Sequence, residues 1–166
     1  MKKLIFVAAM LLCLTLTLSA CSSYRDDVAV TDLASAVFEA VTTQGGYTAA
    51  DADYVSLEFA NASVIDSNVS EWMICASTSS QTVDEFGIFH VKNGGDVSAV
   101  KAEVQDYVSA LQVKLEVYLD TYDPAEKTKL ENARVVVYGN YVVYTMLGDA
   151  DTTACTSAIE NALSDK

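Results

Sequence analysis

The chain has 166 residues, of which 10 are basic and 23 are acidic, so its formal net charge is −13. This length fits one domain, and an apolar fraction of 51% can build a core and excludes a wholly disordered chain. The acid excess makes nucleic acid a poor partner, because a phosphate backbone is bound through Lys and Arg.

The first 20 residues have the pattern of an export signal. Two lysines precede an apolar run over residues 4–18, and the small residues Ser19 and Ala20 follow it. A membrane-spanning helix needs about 20 apolar residues, so this run is short for a permanent anchor. Its length and flanks predict a cleaved signal peptide over residues 1–20.

The end of this signal, Leu18-Ser19-Ala20-Cys21, resembles the lipobox of bacterial lipoprotein precursors. In that family the cysteine thiol receives a diacylglyceryl group, and the peptide is cut just before the cysteine. The resemblance implies a protein held to membrane lipid through Cys21, on the extracytoplasmic face of the cell membrane, with residues 21–30 as a short polar tether. The alternative is a secreted protein whose cleavage site happens to precede a cysteine.

The domain, residues 31–166, begins with a helical pattern. Thr31 can cap a helix whose apolar residues recur at helical spacing until Gly45-Gly46. Residues 47–68 fit either a short helix or an irregular covering segment. Two strand-like runs follow, over residues 69–76 and 83–91, and the polar loop between them is typical of a hairpin.

A long amphipathic helix comes next. Asp96 can cap it, apolar residues then step by three and four as far as Tyr122, and Pro124 forbids its continuation. A second hairpin is predicted around Gly139-Asn140, because glycine supplies the positive φ of a two-residue turn. A final helix is expected from about Asp151.

This order of helix, hairpin, long helix, hairpin and helix predicts an α+β fold. We expect a two-layer domain with an antiparallel sheet of about four strands. In the second hairpin, the register places four residues on the less apolar face of the sheet: Tyr138, Tyr141, Val136 and Val143. Two interpretations fit this face, a docking surface for an envelope protein or a face that is covered within the chain.

Two of the four cysteines remain after Cys13 in the signal and Cys21 at its end. Cys75 lies in a strand-like run and Cys155 on the apolar face of the last helix. An exported compartment permits a disulfide between them. Two buried free thiols fit the same pattern, since cysteine packs as a small hydrophobe.

Residues 84–147 resemble the domain-of-unknown-function 4358 family, a group of lipoproteins from Firmicutes bacteria. The matching pieces are Asp84-Glu85-Phe86-Gly87-Ile88-Phe89, the long helix, Tyr122-Asp123-Pro124, residues 130–137, and Gly139-Asn140-Tyr141-Val142. The resemblance implies a Gram-positive envelope, and it implies no activity and no catalytic residue.

The search for chemistry in the sequence finds no nucleophile elbow, phosphate loop or metalloprotease motif. His90 is the only histidine, and a structural or exposed role is the simplest interpretation. The side chains of Asp84 and Glu85 are adjacent on a strand and should point to opposite faces, which favours a solvated edge or one inward, hydrogen-bonded glutamate.

We therefore expect a non-enzymatic lipoprotein, without metal or cofactor, that binds a partner outside the membrane. A module that binds a small ligand between sheet and helices is the alternative, and it would need a pocket of about 300 Å³ or more. An enzyme built on carboxylates is a third hypothesis.

Overall fold

The computed structural model describes residues 24–42, 46–79 and 81–164. The predicted signal peptide and the predicted lipidation site at Cys21 lie outside these residues. The elements of the described chain follow in order: α1 (Val30–Ala40), β1 (Tyr47–Ala49), α2 (Tyr54–Glu58), α3 (Ala62–Asn68), β2 (Val69–Ser77), β3 (Glu85–Val91), α4 (Val97–Tyr122), α5 (Pro124–Glu131), β4 (Arg134–Tyr138), β5 (Tyr141–Met146) and α6 (Asp149–Leu163).

The strands form one antiparallel sheet in the order β1-β2-β3-β5-β4. The predicted α+β class is thus confirmed, with five strands in the sheet instead of about four. The additional strand is β1, whose three residues pair with β2 from Tyr47 opposite Ser77. A strand this short is too brief to show a periodic pattern, and it lies in the segment 47–68 that the sequence left open.

Helices cover both faces of the sheet, so the domain has three layers and the predicted two-layer arrangement is wrong. One face packs against α2, α3, α4 and α5, and the other packs against α1 and α6. The reason lies in β3, where Ile88 belongs to the second face and Phe89 to the first, and both are fully buried. A strand that is apolar on both sides must be covered on both sides.

The second hairpin has the predicted register. Tyr138 pairs with Tyr141 and Val136 pairs with Val143. Gly139 adopts a φ of +57°, the left-handed conformation that a two-residue hairpin turn requires and that glycine adopts at low cost.

The long helix begins as predicted, because the Asp96 side chain accepts a hydrogen bond from the amide of Ala99 at 3.0 Å. At its other end Pro124 does more than stop α4. It is the first residue of α5, and the Asp123 side chain caps that helix by accepting from the amide of Glu126. Proline is well suited to this position because the first turn of a helix leaves its amides unpaired. The sequence analysis missed α5.

Residues 24–29, here called the N-terminal strap, belong to the segment 21–30 that the sequence analysis assigns to a short polar tether, and in the structure they pack against the domain. The amide of Arg25 donates to the carbonyl of Leu163 at 2.8 Å, and Tyr24 forms a β-bridge with Ser164. The chain is therefore docked from Tyr24 onward, and α1 begins at Val30, one residue before the expected cap. Within the described residues no helix is both long and apolar enough to cross a membrane.

Candidate functional site

The sheet face predicted as a possible docking surface is covered by α1 and α6. Tyr141 and Val143 are at most 1% exposed, Tyr138 is 6% exposed, and Val136 is partly buried in the same cluster. The hydroxyl of Tyr141 donates to the carbonyl of Val28 at 2.7 Å. Of the two interpretations, the structure shows the second: this face is covered within the chain, because the apolar sides of α1 and α6 pack against it.

Cys75 and Cys155 are both buried in the cluster beneath α1 and α6, and both are free thiols. The structure thus shows two buried thiols and no disulfide between them. Burial raises the pKa of Cys75 to about 11 and that of Cys155 to about 12, with nearby carboxylates adding to the effect. Thiols of this kind are poor nucleophiles at neutral pH, so neither is a reactive cysteine.

The described structure contains an open cleft of about 660 Å³. It lies at the end of the sheet where β2 finishes, β3 begins and β5 finishes. One wall consists of Leu111, Leu115 and Leu119, which are spaced four residues apart on α4 and therefore lie along one side of the helix. The remaining lining comes from the sheet end, the β2–β3 loop and the start of α5: Ala76, Ser77, Gln81, Thr82, Val83, Asp84, Glu85, Asp123, Glu126 and Met146.

Glu85 forms the most unusual part of the cleft wall. It is only 8% exposed, and its carboxylate accepts hydrogen bonds from three tyrosine hydroxyls. Tyr144 and Tyr107 donate to Oε1 at 2.5 and 2.8 Å, and Tyr54 donates to Oε2 at 3.3 Å. The hydroxyls of Tyr54 and Tyr107 also lie 2.8 Å apart. Of the two interpretations of Asp84 and Glu85, a solvated edge or an inward, hydrogen-bonded glutamate, the structure shows the second.

Burial raises the pKa of Glu85, and the hydrogen bonds from the three tyrosines partly oppose the rise by stabilising the anion. The pKa values of the three tyrosines are raised as well. Burial, followed by the negative charge of Glu85, raises the pKa of Tyr54 to about 12 and that of Tyr107 and Tyr144 above the usual range. All three hydroxyls thus stay protonated at neutral pH and act as hydrogen-bond donors.

The position of Tyr144 over Glu85 depends on a glycine in the neighbouring strand. Gly87 pairs directly with Tyr144 between β3 and β5. A Cβ at position 87 would overlap the Tyr144 ring, with ring atoms Cδ1 and Cζ only 2.9 Å away. The φ of Gly87 is not in the left-handed region, so backbone conformation does not require a glycine. Glycine is needed here because a side chain at this position would overlap the Tyr144 ring.

At the mouth of the cleft, two carboxylates pair with one lysine. Lys129 of α5 lies 2.9 Å from Asp84 and 2.7 Å from Glu126, and Asp84 is 6% exposed. The amide of Val83 donates to Glu126 at 2.8 Å. Burial alone would raise the pKa of Glu126, but its bonds to Lys129, Thr82 and Val83 lower it overall. These contacts tie the β2–β3 loop to α5 and set the shape of the cleft.

His90 lies at the other end of β3, and its interpretation as a structural residue agrees with its contacts. Its Nε2 is 2.9 Å from Asp26 of the N-terminal strap, and its ring stacks on Tyr141 with centroids 4.4 Å apart. In the described residues, no three side chains among His, Cys, Asp and Glu converge as a metal site.

The sequence showed the residues of this site but did not show that they lie together in the fold. Glu85 and the α4 leucines were visible as an acidic strand residue and an apolar stripe. Their meeting depends on the long-range packing of α4 on the sheet and on α5, which was missed. Gly87 and Tyr144 both lie in predicted strands, but the pairing of those strands became visible only in the structure.

Comparison with known proteins supports a family but no function. No curated protein and no solved structure matches the chain. A family model matches residues 63–147, which is just over half of the chain. The match runs from α3 to the end of β5 and includes β3, α4 and the second hairpin. The chain belongs to the family described as Domain of unknown function (DUF4358).

Proposed function

We propose that this protein is a lipid-anchored extracytoplasmic protein that binds a small amphipathic cation in the cleft beside Glu85. The observation that carries the proposal is the cleft itself, whose volume of about 660 Å³ lies within the range of about 300–1,000 Å³ found for ligand pockets. The leucine side chains of its apolar wall can pack against the hydrocarbon part of a ligand. The geometry thus favours small-ligand binding over docking through the sheet face, which is covered.

The charge of the cleft wall supports a cationic ligand. Four carboxylates line it, those of Asp84, Glu85, Asp123 and Glu126, while Lys129 pairs with two of them. The whole chain has a formal charge of −13, and such a field raises the local concentration of cations and opposes anions. An ammonium group at the mouth with an apolar chain along α4 would match both features.

Binding without chemistry is the simplest role for these groups. The tyrosine hydroxyls around Glu85 are held as neutral donors by their raised pKa values. His90, the only histidine, lies at the opposite end of β3 from Glu85, so it is too distant to act as a base at the cleft. A general base must lie within hydrogen-bond reach of the proton it removes.

The lipid anchor is supported by the lipobox-like residues 18–21, and the family resemblance suggests a Gram-positive envelope. Replacement of Cys21 by serine should move the protein from the membrane fraction to the soluble or unprocessed fraction. The intact mass of native protein should show a diacylglyceryl group on a chain that begins at Cys21. An unmodified thiol or an uncut leader would contradict the anchor.

The ligand class is tested by displacement of the neutral fluorophore N-phenyl-1-naphthylamine. Three displacing compounds share one decyl chain: decyltrimethylammonium, decanol and decanoate. We expect the cation to displace the fluorophore at a concentration at least about tenfold lower than decanoate, equivalent to about 1.4 kcal/mol. Decanol should lie between them.

Two tryptophan substitutions on α4 provide the structural control. Leu115→Trp should fill the cleft and abolish fluorophore binding. Val113 is 76% exposed and lines a separate cavity of about 400 Å³ between α4 and α5, so Val113→Trp should preserve binding in the cleft. Equal binding by both variants would show that the fluorophore binds elsewhere. Equal potency of the three decyl compounds would agree with an apolar binding cleft but would contradict its preference for a cationic ligand.

A further inference from the structure

The N-terminal strap is fixed to the domain by several independent contacts. The Tyr141 hydroxyl donates to the carbonyl of Val28 at 2.7 Å and accepts from the amide of Val28 at 3.1 Å. The Tyr24 ring packs edge-on against Tyr138 with centroids 5.4 Å apart. Together with the Arg25 amide bond to Leu163, these contacts hold the strap at both of its ends.

The strap lies at one end of the sheet and the cleft lies at the other. His90 and Tyr141, which hold Asp26 and Val28, are at the end of β3 and the start of β5. The cleft instead includes Glu85, at the start of β3. His90 is five residues after Glu85 in β3, and a strand rises about 3.3 Å per residue, so about 17 Å separates the two sites.

We infer that this docking orients the protein, so that the sheet end bearing the strap faces the lipid surface and the cleft opens away from it. The inference rests on the lipid anchor of the proposed function. Cys21 is three residues before Tyr24, and three residues span at most about 11 Å. That reach is shorter than the distance between the strap and the cleft. Cys21 therefore cannot extend to the cleft end of the sheet, and the anchor holds the strap end nearer to the lipid.

The orientation has a consequence for the source of the ligand. A cleft that faces away from the bilayer is filled from the extracytoplasmic fluid and not directly from the lipid leaflet. The face that meets lipid is then the end formed by the strap, the Gly139-Asn140 turn and the turn after β3, which the Gly95 amide closes by donating to the Lys92 carbonyl.

The test compares two exposed loop positions in the lipidated full-length product. Asn93→Cys lies near the strap end and Gln81→Cys lies at the cleft, and each carries a fluorophore; Cys75 and Cys155 are buried and should not react in the native protein. The labelled proteins are bound to phosphatidylcholine–phosphatidylglycerol vesicles that contain a nitroxide-headgroup lipid. We expect quenching at position 93 to exceed quenching at position 81 several-fold.

Two matched variants then test the role of the strap. The double variant Tyr24→Ala/Tyr141→Phe removes both hydrogen bonds to Val28 and the packing of the Tyr24 ring on Tyr138, and it should bring the two quenching values closer together. Tyr138→Phe keeps that ring contact and those hydrogen bonds and should preserve the difference. An unchanged difference in the double variant would overturn the role of the strap.

The remaining outcomes separate the orientation from the anchor. Equal quenching, or stronger quenching at position 81, in protein that sediments with the vesicles would overturn the orientation and leave the anchor standing. Protein that stays in the supernatant would contradict the anchor, and the orientation with it.

Discussion

Replacement of Glu85 by glutamine should make the stability of the protein less dependent on pH. The buried carboxylate has a pKa raised above its usual value, chiefly by burial, so the folded state holds this proton more tightly than the unfolded state. The contribution of Glu85 to the free energy of unfolding is thus fully present below the unfolded pKa of about 4.3. It is lost as the pH rises through the higher pKa of the folded state.

The size of the effect follows from proton linkage. Within the window between the two pKa values, the wild-type protein loses up to about 1.4 kcal/mol of stability per pH unit from this group. Glutamine has nearly the same shape and cannot ionise in this range. Its carbonyl can accept from Tyr144 and Tyr107, and its amide can donate to the hydroxyl of Tyr54, so the ring of hydrogen bonds is preserved.

The assay is urea unfolding between pH 4 and pH 8, followed by the fluorescence of Trp72, the only tryptophan, in a soluble form that begins at residue 22. The stability of Glu85→Gln relative to wild type should increase as the pH rises. Glu39→Gln, a change at an exposed carboxylate on α1, controls for the loss of one negative charge. A difference between Glu85→Gln and wild type that is constant with pH would refute the account of a buried, destabilised carboxylate.

Further predictions concern the glycine beneath the tyrosine ring and the two thiols. Gly87→Ala should lower the free energy of unfolding by about 1–3 kcal/mol through steric overlap with Tyr144. Gly148→Ala should have a smaller effect, of at most about 1 kcal/mol, because an added Cβ meets no atom within 4 Å and the poorer capping of α6 by alanine is opposed by its lower chain entropy in the unfolded state. Urea unfolding measures both, and equal effects would contradict the close packing. In the soluble form, Cys75 and Cys155 should resist a thiol reagent at pH 8 while folded and both react in urea without reductant. Absence of reaction in urea would instead reveal a disulfide.

The second hairpin shows how far the sequence could predict the fold. Its turn at Gly139 fixes the pairing of Tyr138 with Tyr141, and the period of two then assigns each side chain to a face. These local rules gave the correct register. They could not decide whether the face with Tyr141 was free or covered, because that depends on α1 and α6, which pack there from distant parts of the chain.

The cleft was beyond prediction for a related reason. Its apolar wall on α4 was visible as a helical stripe, but a stripe does not reveal which of its residues meet the sheet and which line an opening. The missing element was α5, whose residue Glu126 binds the Val83 amide and holds the β2–β3 loop beside α4. Pro124 was interpreted only as the end of a helix, although proline is also favoured in the first turn of the next one.

The most direct measurement of the central claim is a crystal structure of the protein with decyltrimethylammonium. We predict that the decyl chain lies along Leu111, Leu115 and Leu119 and that the ammonium group lies among the carboxylates of Asp84, Asp123 and Glu126. A complex in which the compound occupies the opposite side of α4, beside Val113, or in which its ammonium group points away from the carboxylates, would contradict the proposed binding site.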